Sequence, residues 1–199
     1  LVCSKQGALF PANVLTMPGE HNRQNMLLVT AAALQAGLEP QSIECGLRSF
    51  PGVPHRLENV GSLHGMHVFN DSKATNYDAA AVALQAVPGP IALLAGGLSK
   101  QGDASGWLQL LHDRVCSIAL FGSDREVLLG LIRGSGYTGD VTSHPTMADA
   151  LTAAIDQGKN KSAASLLLSP ACASFDQYKD FEARGNHFRE IIKQHARNQ

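Results

Sequence analysis

The chain has 199 residues, 44% of them hydrophobic and 17% charged, which is enough to bury a core in one or two globular domains. A formal net charge of −1 gives no electrostatic case for nucleic acid or an anionic membrane surface as a partner. No run approaches the roughly 18 consecutive apolar residues of a membrane span, and Leu1–Pro11 lacks the apolar core of a signal peptide, so a cytoplasmic protein is expected.

The first residue is Leu rather than Met, and the chain is expected to be a piece of something longer. "NMLLVTAAALQAG" (25–37) and "PQSIECGLRSF" (40–50) read as consecutive helices, the first ended by Gly37, with little strand to pack against. They have the character of the tail of another α/β domain. "FPGVPHR" (50–56), stiffened by Pro51 and Pro54, is the expected linker, dividing the chain into residues 1–50 and 51–199.

From about residue 66 short apolar runs alternate with amphipathic segments. "MHVFN" (66–70), "PIALLAGG" (90–97), "CSIALFG" (116–122) and "SLLLSPA" (165–171) are apolar on both faces, as strands buried between two helical layers must be. "DVTSH" (140–144) is a weaker strand candidate. Helices are predicted from about Asn76 to Gln85, after a capping box Ser123-x-x-Glu126 with Gly134 as stop, after Thr146-x-x-Asp149, and from about Gln177 to His195. Met147, Leu151 and Ile155 recur four apart and make one apolar stripe. Strand and helix in alternation predict a doubly wound, mostly parallel α/β sheet.

In such sheets ligands bind beyond the carboxyl ends of the strands, where loops and helix N-termini converge. Three polar segments fall there: "NDSKATN" (70–76), "AGGLSKQGD" (95–103) and "SPACASFDQYKDF" (169–181). Gly96 and Gly97 allow a tight turn that exposes Lys100, a point charge for an anion. Ser169, Ser174 and nearby N–H groups make a second anion seat.

Each feature also has a plainer reading. Asp71, Ser72, Thr75 and Asn76 serve equally well as turn and cap residues, and Lys100 alone is a solvated loop charge. "GGLSKQG" is not the G-x-G-x-x-G of a dinucleotide fold. The cysteines (Cys3, Cys45, Cys116, Cys172) are widely spaced without C-x-x-C, arguing against a disulfide framework or zinc site. Cys172 reads as a buried thiol rather than a nucleophile. His64 and His67 would point to opposite faces of one strand, which disfavours a metal pair. From the residues alone the reading ends at an anion-binding α/β domain.

The segments "HNRQN" (21–25), "GVPHRLE" (52–58), "NDSKATN" (70–76), "GGLSKQGD" (96–103) and "LLSPACASFDQYKDFEARGNHF" (167–188) together resemble the Mur ligases in order and approximate spacing, most specifically the branch that adds D-glutamate. No G-x-x-x-x-G-K-[ST] phosphate loop is found. The chain therefore resembles the end of the family's central ATPase domain followed by its C-terminal domain.

The resemblance implies a Rossmann-like C-terminal domain and an ATP-dependent, ADP-forming amide ligase that joins D-glutamate to UDP-N-acetylmuramoyl-L-alanine through an acyl phosphate. Magnesium is implied as cofactor, its ligands mainly outside this chain, and the protein is expected to be a monomer without nucleic-acid partners. Asn22, Asn25, His55, Arg56 and Asp71 would serve ATP. Thr75, Lys100 and Ser174, with backbone at Phe175 and Phe181, would hold D-glutamate. Lys100, Asp71 and Arg56 would be the catalytic set, and Lys73 would pair with a phosphate or an acid. The piece alone is expected not to form the amide. Another Mur-type or folylpolyglutamate-type ligase, or a noncatalytic binding module, stays open at this level.

Overall fold

The computed structural model describes residues 1–5 and 7–197, and the chain separates into two compact units at Val53/Pro54. In the first unit a short antiparallel hairpin, β1 (Val2–Ser4) and β2 (Gly7–Phe10), precedes helices α1 (Glu20–Gln35) and α2 (Pro40–Ser49). Strands this short leave no periodicity to read, and the sequence did not reveal them. Val2, Phe10, Val14, Met26 and Ile43 form the small core. Gly37, at φ +86°, supplies the left-handed residue that ends α1.

The second unit begins with β3 (Glu58–Leu63), which turns at His64 and Gly65 into β4 (Met66–Asn70). There follow α3 (Tyr77–Ala86), β5 (Ile91–Gly96), α4 (Ser105–Arg114), β6 (Val115–Phe121), α5 (Arg125–Gly134), β7 (Asp140–His144), α6 (Met147–Asn160), β8 (Ser165–Leu168) and α7 (Phe181–Arg197). The strands lie in the order β3-β4-β8-β5-β6-β7. β3 is antiparallel to β4 and the other five are mutually parallel.

Pleating explains why the buried strands are apolar throughout. Ile91, Leu93 and Ala95 of β5 pack with Leu84, Trp107, Leu111 and Leu128 on one face. Ala92 and Leu94 pack with Leu151, Ile155, Phe188 and Ile192 on the other. Helices α3, α4 and α5 thus cover one face and α6 and α7 the second, as a doubly wound sheet requires.

The Thr146 cap forms, its hydroxyl accepting from Asp149 N–H at 3.2 Å, and the Met147, Leu151, Ile155 stripe is buried. The Ser123 capping box does not form. Asp124 takes the N-cap position of α5, Ser123 donates its N–H to Asp176, and Glu126 accepts from Ser143 Oγ at 2.5 Å. α5 ends at Gly134 with Ser135 as its C-cap, and the left-handed residue behind it is Gly136, at φ +84°. The last helix starts at Phe181 rather than Gln177, because the N–H groups of Gln177 and Tyr178 both close onto Ser174 O and Asp180 Oδ1 accepts from Ala183 N–H. His64 and His67 do not share a strand: His64 is in the β3–β4 turn at φ +49°.

Candidate functional site: three loops on one sheet edge

Because β4, β8, β5 and β6 are neighbours with a common direction, the loops that leave their carboxyl ends stand side by side. Residues 71–76, 169–180, 97–104 and the corner 122–124 make up that rim. Backbone bonds sew them together. Asp71 N–H donates to Leu168 O at 2.8 Å, Gly96 N–H to Pro170 O at 2.9 Å, and Leu98 and Ala173 exchange two bonds of 2.9 Å.

The centre of this stitching is Arg184, a residue to which the sequence alone gave no role. It is 0% exposed. Nε donates to Ser72 Oγ at 3.0 Å, Nη2 to Ser72 O at 2.8 Å and to Cys172 O at 3.0 Å, and Nη1 to Gly96 O at 3.4 Å. One guanidinium fork therefore holds two of these loops by their backbones together with Gly96, the last residue of β5 before the third. Burial lowers its pKa to about 10, so it remains a cation at neutral pH. The signal was available: Arg184, Phe188 and Ile192 fall four apart on the buried stripe of α7.

Asp71 is buried and both carboxylate oxygens are used, Oδ1 accepting from Leu57 N–H at 3.1 Å and Oδ2 from Ser169 Oγ at 3.0 Å. Burial pushes its pKa up to about 7, against the opposing pull of those bonds and of Arg56. A carboxyl whose folded pKa is raised favours the fold fully below its unfolded value of about 4 and loses that contribution as pH rises to about 7. Asp71→Asn should remove this dependence, so that the variant gains stability relative to wild type between pH 4 and pH 8. Urea denaturation at the two pH values checks it, and an unchanged difference would sink it.

His55 is also interior. It sits at φ +62°, its ring contacts the Asn70 amide at 3.0 Å, its backbone N–H donates to Glu58 Oε2 at 2.9 Å, and burial lowers its pKa. A Cβ on Gly185 would collide with the imidazole, so helix and ring are fitted to each other. Arg56 beside it is exposed. Asn22 and Asn25 lie on α1 of the first unit; Asn22 is buried with its amide on Pro18 O at 2.6 Å, and Asn25 is exposed.

The residues matched to D-glutamate are distributed over the three adjacent loops. Thr75 is half-buried, Lys100 exposed, and Ser174 buried. Lys100 lines an open groove with Tyr77, Ser99 and Ser105, and neither Thr75 nor Ser174 is part of that lining. Phe175 is 70% exposed. Phe181 O accepts from Ser72 Oγ at 2.8 Å, and the Lys73 ammonium stands 4.1 Å from the Phe181 ring centroid. The Cys172 thiol is buried and pushed up to about 12 by that burial, which fits a packed thiol. Among the described residues no group of three His, Cys, Asp or Glu is gathered to hold a metal ion. Among them, too, no helix is long and apolar enough to cross a membrane.

No protein-family model matches the chain. It is 60% identical over 193 residues to UDP-N-acetylmuramoylalanine–D-glutamate ligase of Parasynechococcus marenigrum, covering 97% of this chain and 42% of that protein. It is 45% identical over 192 residues to the ligase of the same name in Synechococcus elongatus, covering 96% and 42%. The chain thus spans about two-fifths of the length of the curated relatives it matches. Among solved structures, MurC of Thermotoga maritima superposes with TM-score 0.62 at 16% identity over 90% of this chain and 39% of its own. Mycobacterium tuberculosis folylpolyglutamate synthase, complexed with ADP and AMPPCP, gives 0.63 at 22% identity over 89% and 41%. At such identities these two attest the fold alone. On the sequence similarity, the chain belongs to the Mur ligase family, as a C-terminal portion related to its UDP-N-acetylmuramoylalanine–D-glutamate ligase members.

Proposed function

We propose that this chain supplies the acceptor-binding part of an ATP-dependent ligase that joins D-glutamate to UDP-N-acetylmuramoyl-L-alanine in peptidoglycan precursor synthesis. The observation that supports it best is the adjacency of three polar loops on one sheet edge, carrying Thr75, Lys100 and Ser174. A small dicarboxylate needs a cation and several hydroxyl or N–H donors, and these loops offer them.

A carboxylate is a poor electrophile, so the γ-phosphoryl of ATP first goes to the muramoyl-alanine carboxylate, giving an acyl phosphate and ADP. The D-glutamate amine attacks the acyl carbon, the C–O bond to phosphate breaks, and the nitrogen sheds a proton as phosphate leaves. Lys100 and the two hydroxyls hold the acceptor carboxylates so that the amine meets the acyl carbon from one face of its carbonyl plane. Of the residues matched to ATP, His55, Arg56 and Asp71 belong to the second unit and are proposed for its nucleotide side. Magnesium finds no three-ligand group among the described residues, and its ligands are expected mainly outside this chain.

In the full-length ligase carrying this chain, Lys100→Ala should raise KM for D-glutamate by about 10- to 100-fold, the loss expected for a charged hydrogen bond, with KM for ATP little changed. An unchanged D-glutamate KM would overturn the assignment. Acceptance of L-alanine, L-lysine or meso-diaminopimelate in preference to D-glutamate would overturn the substrate. The 199-residue chain alone is expected to form no amide in a coupled phosphate-release assay.

A further inference from the structure

Helix α5 begins with an aspartate that does not cap it. An N-cap carboxylate ordinarily accepts from the first-turn N–H groups and so stabilises the helix it begins. Asp124 occupies that position with no side-chain cap bond. Its Oδ2 instead accepts the Ser99 N–H at 2.7 Å and the Ser99 hydroxyl at 2.6 Å, from the loop after β5. The Asp124 N–H donates to Gly97 O at 3.1 Å, so the residue grips that loop on both sides of Leu98. The Ser99 bonds hold the Asp124 carboxyl below the usual carboxylate range, keeping it an anion and the bonds charge-assisted.

The same corner reaches the third loop. Ser123 N–H donates to Asp176 Oδ2 at 2.9 Å, two residues beyond Ser174. Nothing larger than glycine fits between these contacts: a Cβ on Gly122 would stand 2.5 Å from Asp176 Oδ2 and 2.8 Å from Gly97 Cα. The corner 122–124 is thus bonded to the residue before Lys100 and to the segment that carries Ser174.

We propose that Asp124 is a positioning residue of the acceptor site: by clasping Ser99 it fixes the backbone from which Lys100 projects, and with Ser123 and Asp176 it sets the spacing between that ammonium and Ser174. The proposal rests on the assignment of Lys100 to the acceptor. The physical need follows from the side chain itself. Lysine has a flexible four-carbon stem, and each degree of freedom left in its anchor is lost on binding a small anion.

Steady-state kinetics of the full-length ligase carrying this chain test it with Asp124→Ala, Asp124→Asn, Ser99→Ala and Lys100→Ala side by side. Asp124→Ala should raise KM for D-glutamate about tenfold, with kcat and KM for ATP changing less than about threefold. Ser99→Ala loses the hydroxyl bond but keeps the N–H bond, and should shift the same KM in the same direction by less. Asp124→Asn keeps an oxygen that accepts both bonds and should recover most of the loss, a rescue that general destabilisation would not give. If Asp124→Ala does not fold, Ser99→Ala decides alone. The proposal fails if Lys100→Ala raises the D-glutamate KM while the Asp124 and Ser99 variants do not, or if they raise the ATP KM equally. If Lys100→Ala itself leaves that KM unchanged, the acceptor assignment falls and this proposal with it.

Discussion

Replacing Arg184 by methionine should lower the stability of the second unit by about 3 kcal/mol or more and its melting temperature by roughly 6–12 °C. Methionine fills much of the same volume, so the loss measures bonding rather than a cavity. The Ser72 and Cys172 carbonyls and the Ser72 hydroxyl would lose their donors in a fully buried place, each at about 1–3 kcal/mol, partly offset by no longer burying a charge. Arg184→Lys should not rescue the protein, since one ammonium cannot reach Ser72, Cys172 and Gly96 together as a planar fork does. Thermal melting followed by far-UV circular dichroism checks it. A methionine variant that melts within about 2 °C of wild type would mean that the loops hold one another without the guanidinium.

Gly97→Ala should be comparably damaging, for a different reason. Gly97 sits at φ +128°, a backbone conformation essentially closed to L side chains. A Cβ there would collide with Ala173 O and stand 3.1 Å from Arg184 Nη1 and 3.2 Å from Cys172 Cβ. Relief of the collision must push the 97–104 loop away from residues 169–180 and break the paired bonds between Leu98 and Ala173. Strain of about 1–3 kcal/mol and those lost bonds add. Gly130→Ala is the control. It lies in α5 with nothing within 4 Å of its added Cβ, and should stabilise by about 0.5–1 kcal/mol. Urea midpoints of the two variants should move in opposite directions, and a Gly97 variant as stable as wild type would refute the close approach.

The fold class was legible because the information is local. A strand covered on both faces must be apolar on both, and 66–70, 91–96, 115–121 and 165–168 are so wherever they are placed. The Asn76 and Thr146 caps were legible for the same reason, since each accepts from an N–H three residues on. Helix α4 and the antiparallel β3 escaped notice. The exposed positions of β3 break its alternation, with a register shift between Asn59 and Gly61. In α4 only Trp107 and Leu111 are buried, so its stripe is thin.

By itself the sequence determined a doubly wound α/β unit with polar strand ends, and, through its motifs, a Mur ligase relationship. Tertiary structure alone decided that β8, the last strand of the chain, inserts between β4 and β5, which puts the Ser174 loop beside those of Thr75 and Lys100. It also decided that Arg184 faces inward onto three backbones, and that the Ser123 N–H and the Asp124 carboxylate bond to partners 53 and 25 residues away. The physical reason is the reach of the interactions. The apolar pattern that burial demands and the helix caps are written within a few residues of chain, whereas hydrogen-bond partners across loops exist only once the sheet has ordered its strands.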